Sequence, residues 1–172
     1  ANVADTLLGG AGNDTITGGD GTAIDVVDLS QMPSATGHLV TSTGNLTVNL
    51  ASGTSVDDSA LLGSDTLVGI EGVITGAGAD LVTGSAGANS IVTGAGADTI
   101  NGGAGNDTLD GGAGIDTASY STALNGVIVN LGTTNILGSM GGSPVTVSAG
   151  NVQGDGTDQL SNIENVTGSI HG

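Results

Sequence analysis

From residue 75 onward, one aliphatic position returns every nine residues. Val82, Ile91, Ile100, Leu109 and Ala118 each sit between polar neighbours, and glycine-rich stretches separate them. The chain divides there into five frames, TGAGADLVT, GSAGANSIV, TGAGADTIN, GGAGNDTLD and GGAGIDTAS, ending at Ser119. One inward residue flanked by two outward ones is the pattern of a short strand with a single buried side chain. The glycines reach the left-handed backbone that a tight turn needs. Two frames then make one flattened coil of turn, strand, turn and strand. Stacked coils pair as parallel strands about 4.8 Å apart. Turns eighteen residues apart share an edge, so Asp80, Asp98 and Asp116 line one edge, and Asn89 and Asp107 the other.

The N-terminal region carries the same pattern. GGAGNDTIT covers 9–17, and GGDGTAIDVVD follows with about two extra residues before Asp25. ADTLL at 4–8 reads as the end of another frame. A longer repeat lies over the short one. GNLTVNL (44–50) and GVIVNL (126–131) alternate as half-buried strands do, and GSDTLVGIEGVITG (63–76) matches GTDQLSNIENVTG (156–168). The chain therefore contains two related units. Unit one is 1–74, with nonapeptides at 9–28, a V-N-L strand at 44–50 and a D-x-L-x-x-I-E segment at 63–76. Unit two is 75–172, with nonapeptides at 75–119, a strand at 126–131 and a segment at 156–168. Spacers near 31–43 and 132–155 read as loops and hold Pro33 and Pro144. No stretch reads as a helix. The C-terminal IENVTGSIHG reads as though it feeds into the N-terminus of another copy.

Composition sharpens this picture. Glycine is 34 of 172 residues, far above the usual share of about 7%. Tyr120 is the one aromatic residue, so the predicted core is thin and aliphatic. The chain has 17 acidic residues and no Lys or Arg, for a formal charge of −17. Nothing in it neutralises phosphates, which excludes conventional nucleic-acid binding and anionic membrane surfaces. No cysteine is present, so disulfides, zinc-thiolate sites and Cys nucleophiles are excluded. No apolar run approaches the ~18 residues of a membrane-spanning helix. Ordered carboxylates without basic partners call for an inorganic cation.

Carboxylates stacked one coil apart repel each other, and a calcium ion between neighbouring turns resolves this. Ca²⁺ takes 6–8 oxygen ligands from carboxylates and backbone carbonyls, whereas Mg²⁺ wants a small octahedral shell and keeps its waters. The pattern G-G-x-G-x-D-x-U-x, with U aliphatic, resembles the RTX calcium-binding nonapeptides of secreted bacterial proteins. The resemblance covers 9–28 and 75–119, and the flanking segments are similar to stretches of very large RTX surface proteins. It implies an all-β chain, a right-handed parallel β-solenoid or β-roll holding several Ca²⁺ ions in its turns. The implied metal ligands are carbonyls of the first and third turn positions together with the aspartate. These are Gly9, Ala11 and Asp14, then Thr93, Ala95 and Asp98, then Gly102, Ala104 and Asp107, then Gly111, Ala113 and Asp116, with Asp25, Asp80 and Asn89. Asn89 replaces the aspartate, Thr75 and Thr93 the first glycine, and Ser85 the second, so the site joining frames 84 and 102 is expected to be weaker or filled differently.

Asp65, Glu71, Asp158 and Glu164 recur at equivalent positions, and turn or cap roles are favoured over a further ion. His38 and His171 lie in separate loops with no motif around them. Asp20, Asp28, Asp57, Asp58, Asp110 and Asp155 read as surface charge. Tyr120 is expected to pack against the next coil. Asn13, Asn45, Asn106 and Asn165 each open an N-x-S/T sequon. No catalytic constellation is visible. The expected role is a non-catalytic structural module of an extracellular fibre, surface layer or adhesin on a bacterial cell surface. Such a module folds on calcium and stacks end to end with copies of itself, without nucleic acid or membrane insertion. The alternatives are the calcium-folding tail of a secreted protease, lipase or polysaccharide-modifying enzyme, and an ice- or glycan-binding face of the threonines.

Overall fold

A computed structural model describes residues 3–19, 21–33, 39–57, 62–124, 127–131, 136–140, 143–147, 151–153 and 156–168. His38, His171, Asp20, Asp58 and Asp155 lie outside the described residues. The described chain is all strand and turn, with no helix. A nine-stranded and an eight-stranded sheet hold most of the strands, and two further hairpins stand apart from them.

Successive frames contribute strands alternately to the two large sheets. Leu81–Thr83, Thr99–Asn101 and Thr117–Ser119 belong to the eight-stranded sheet, and Ser90–Gly96 and Thr108–Asp110 to the nine-stranded one. Pairing between these frame strands is parallel and in the expected register, with Val82 opposite Ile100 and Ile91 opposite Leu109. The aliphatic position of each frame forms the core: Val82, Ile91, Ile100, Leu109 and Ala118 are all 0% exposed. Each such burial of a large aliphatic side chain contributes roughly 1.5–3 kcal/mol. Adjacent coils approach closely. Gly112 has φ +87°, and a side chain there would collide with the carbonyl oxygen of Gly94.

The sheets are mixed rather than parallel throughout. In unit one, Leu46–Asn49 turns back on Thr54–Asp57, which in turn pairs antiparallel with Ser64–Val68. In unit two, Ile128–Asn130 pairs antiparallel with Asn151–Gln153, and that strand with Thr157–Ser161. A strand that reverses through a short hairpin can only pair antiparallel. The D-x-L-x-x-I-E segments restore the parallel stack, with Thr66 opposite Thr15 and Gln159 opposite Thr108. Five frames, an odd number, separate the two segments. The first segment's strand therefore lies in the eight-stranded sheet and the second's in the nine-stranded sheet.

Candidate metal centre

The acidic residues of the frames form a buried ladder. Each carboxylate reaches one coil back and caps the backbone N–H of its counterpart there. The Asp80 N–H donates to Asp98 Oδ1 at 2.8 Å, and the Asp98 N–H to Asp116 Oδ1 at 2.9 Å. On the opposite edge the Asn89 N–H donates to Asp107 Oδ1 at 2.9 Å. The main chain runs the reverse exchange, with the Thr99 N–H donating to Asp80 O and the Thr117 N–H to Asp98 O. One residue type thus links two coils twice, which accounts for an aspartate at the sixth position of the frame.

The second carboxylate oxygen is treated differently. Oδ2 of Asp14, Asp80, Asp98 and Asp116 is buried and meets no hydrogen-bond donor. Thr75 does not supply one to Asp80, because its single hydroxyl proton goes to Thr93 O at 2.8 Å. Asp80, Asp98 and Asp116 are each at most 2% exposed. A buried carboxylate with an unmet oxygen is costly unless a cation balances it, and the chain has no Lys or Arg to do so. Burial pushes the Asp80 carboxyl above its ordinary range; the Leu46 N–H acts against this, and Asp98 and Asp57 add to it. Burial raises Asp116 as well; the Asp98 N–H opposes the rise, while Asp98, Glu164 and Asp110 reinforce it. Glycine at the first turn position makes room for the carboxylate. An added Cβ on Gly111 would stand 2.7 Å from Asp116 Oδ2, and one on Gly9 would stand 3.6 Å from Asp14 Oδ2. A cradle of this shape around an unmet carboxylate oxygen fits a calcium ion completed by main-chain carbonyls. Among the described residues no three His, Asp or Glu side chains gather at one point.

The frames match a family model described as the RTX calcium-binding nonapeptide repeat, in four copies, over residues 2–22, 73–99 and 83–118. These are RTX calcium-binding nonapeptide repeats. Such repeats bind calcium ions. A comparison with curated proteins gives no match.

The remaining candidate ligands of the RTX frames fall into groups. Thr93, Gly102 and Gly111 are buried at the first position and Gly9 is half-buried, whereas Ala11, Ala95, Ala104 and Ala113 are exposed at the turn tips. The Thr93 hydroxyl donates to Gly111 O at 3.0 Å, so on this edge a side chain already engages a first-position carbonyl. Asn89 accepts the Ser85 N–H at 2.7 Å, and its Nδ2 donates to Glu71 O at 2.8 Å. Its amide thus supplies the donor that an aspartate lacks. Asp25 accepts the Asp5 N–H on Oδ1 at 2.9 Å, and its own N–H donates to Glu71 Oε2 at 3.1 Å.

Asp65 and Asp158 continue the ladder as caps, because both oxygens of each are engaged. Asp65 accepts the Asp14 N–H and the Ser55 hydroxyl, each at 3.0 Å. Asp158 accepts the Asp107 N–H at 3.0 Å and the Tyr120 hydroxyl at 2.9 Å. Both pairings with a frame aspartate span 51 residues. Glu164 accepts the Asp116 N–H at 2.9 Å. Asp57 is buried rather than surface charge, and its Oδ2 accepts the Leu62 N–H at 3.0 Å. Sequence reading missed the two hydroxyl partners. It also missed the asparagines of three sequons, which brace neighbouring segments: the side-chain oxygens of Asn13, Asn45 and Asn106 accept the N–H groups of Ser64, Ala79 and Thr157. The position of Asn13 and Asn106 immediately before a frame aspartate, repeated in both units, was the available signal.

Proposed function

We propose that this chain is a non-catalytic, calcium-folded structural module of an extracellular fibre, surface layer or adhesin. In this reading it is one continuous right-handed β-solenoid of two units, 1–74 and 75–172, which stacks end to end. The ligands are the frame aspartates with the first- and third-position carbonyls. The observation that carries the reading is the set of buried Oδ2 atoms without a donor on Asp14, Asp80, Asp98 and Asp116, in a chain with no basic side chain. Metal binding and folding are then one event, because the ladder is assembled only when the coils stack. RTX repeats occur in secreted bacterial proteins, which supports an extracellular setting. Light scattering behind size exclusion tests the assembly. Elongated particles in calcium that chelator dissolves into expanded monomers are expected. A compact monomer in calcium removes stacking from the account and leaves a calcium-folded module.

A further inference from the structure

Four strands terminate the two large sheets. Thr6–Leu7 and Ile128–Asn130 end the nine-stranded sheet, and Thr15–Thr17 and Asn165–Thr167 end the eight-stranded one. Partly buried aliphatic residues packed against the core include Leu7, Val127, Val129 and Val166. Each of these lies on, or next to, a terminal strand.

The interior of the molecule already contains the arrangement that covers such strands. Where unit one meets unit two, the V-N-L strand Leu46–Asn49 takes Leu81–Thr83 in parallel on its outer side, with Thr47 opposite Leu81 and Val48 opposite Val82. Asp80 Oδ1 accepts the Leu46 N–H at 2.8 Å, and Thr83 O accepts the Leu50 N–H at 2.8 Å. On the other sheet Gly72–Ala77 takes Ser90–Gly96, with Gly72 opposite Ser90. Both sides of this junction recur at the open ends. V-N-L at 129–131 repeats V-N-L at 48–50, and Glu164-Asn165-Val166 repeats Glu71-Gly72-Val73. Asp5-Thr6-Leu7-Leu8 repeats Asp80-Leu81-Val82-Thr83, and Asp14-Thr15-Ile16 repeats Asn89-Ser90-Ile91 at the same spacing of nine. Burial follows coverage. Leu50 is 9% exposed at the internal junction, against 42% for its counterpart Leu131.

We infer that the open ends pair with each other between two molecules of this chain, reproducing the internal junction. This rests on the end-to-end reading above and specifies its register. Ile128–Asn130 of one molecule takes Thr6–Leu8 of a second in parallel, with Ile128 opposite Thr6 and Val129 opposite Leu7. The Asp5 carboxylate of the second molecule caps the Val127 N–H of the first, as Asp80 caps Leu46. On the other sheet Asn165–Thr167 takes Thr15–Thr17, with Asn165 opposite Thr15. All four terminal strands are used, and the half-buried aliphatic residues become core. A strand edge left open is a template for such pairing.

The chain has no cysteine, so the register can be read by disulfide trapping. Opposed residues in adjacent strands fall within the Cα separation a disulfide spans. Thr6→Cys protein is mixed with Ile128→Cys protein in calcium under mild oxidant, and Thr15→Cys with Asn165→Cys as a second, independent pair. Circular dichroism first verifies that each variant keeps its strand content. The expected result is a disulfide-linked heterodimer as the main product for both pairs, and none for Thr6→Cys mixed with Thr108→Cys, whose strand is interior to its sheet. Calcium-dependent assemblies by light scattering without either linkage would overturn this register while leaving end-to-end stacking in place. Monomers with no linkage would overturn both.

Discussion

The same V-N-L tripeptide occurs twice and has two fates. In unit one Val48 is 0% exposed, sealed by the strand of the following frame. In unit two Val129 is half-buried at the end of its sheet. The local sequences hardly differ, so local propensity does not decide burial here. The next coil decides it. A protein built this way is stable in proportion to its neighbours, as expected when each repeat contacts only those beside it.

The largest way to disturb the comparison is to remove calcium, which should erase the difference between the units by unfolding both. Amide hydrogen exchange in chelator is expected to show unit one losing protection together with unit two. Protection that persists around Val48 alone would show that the V-N-L hairpin is stable without ions. Next in size, Leu46→Ala should cost about 2–5 kcal/mol of stability in calcium, as large-to-small changes in a packed core do. Leu131→Ala at the open end should stay within about 0.5 kcal/mol in the monomer. Denaturant melts of the two variants compare them directly, and equal losses would contradict the account of coverage.

Within the ladder, Asp98→Ala should cost about 1.5–3 kcal/mol beyond any effect on calcium, because the Asp80 N–H loses its charged acceptor. Asp98→Asn keeps an acceptor oxygen and should recover part of that loss, while still weakening calcium binding. If chemical denaturation in saturating calcium fails to separate the two variants, the capping role assigned to Oδ1 is wrong.

The smallest effect concerns pH. Asp80 and Asp116 have carboxyls raised by burial in the folded chain without metal. A raised folded value means the folded state holds more protons than the unfolded one. That contribution to the metal-free fold is therefore present below the ordinary carboxylate range and lost as pH rises through the raised values, so the metal-free fold is disfavoured at neutral pH. In calcium the sign reverses, because protons compete with the ion for the same oxygens. Thermal melts in saturating calcium should thus fall as pH drops through the mildly acidic range. Melting temperatures that rise on acidification would contradict the assignment of these carboxylates to the ion.

The frames were legible because three position types recur together. Aliphatic residues at the eighth position gave the core, and aspartates at the sixth gave the two edges. The strand registers Val82–Ile100 and Ile91–Leu109 follow from that spacing alone. The antiparallel meanders were not legible. V-N-L alternates equally well in either orientation, and only the partner strand Thr54–Asp57 fixes the direction. The depth of the ladder was also hidden. Spacing places Asp98 at an edge, but cannot show that one oxygen caps the Asp80 N–H while the other meets nothing. The hydroxyls of Ser55 and Tyr120, which make caps of Asp65 and Asp158, come from segments 10 and 38 residues away. No nine-residue pattern contains them.

The central claim is that calcium and the fold are one equilibrium. It is tested most directly by titrating the chelator-stripped chain with calcium under far-ultraviolet circular dichroism, with magnesium as control. The account predicts little strand signal at the start, a cooperative gain over a narrow range of calcium, and no comparable gain with magnesium. Near-native strand content in chelator, unchanged by calcium, would contradict it.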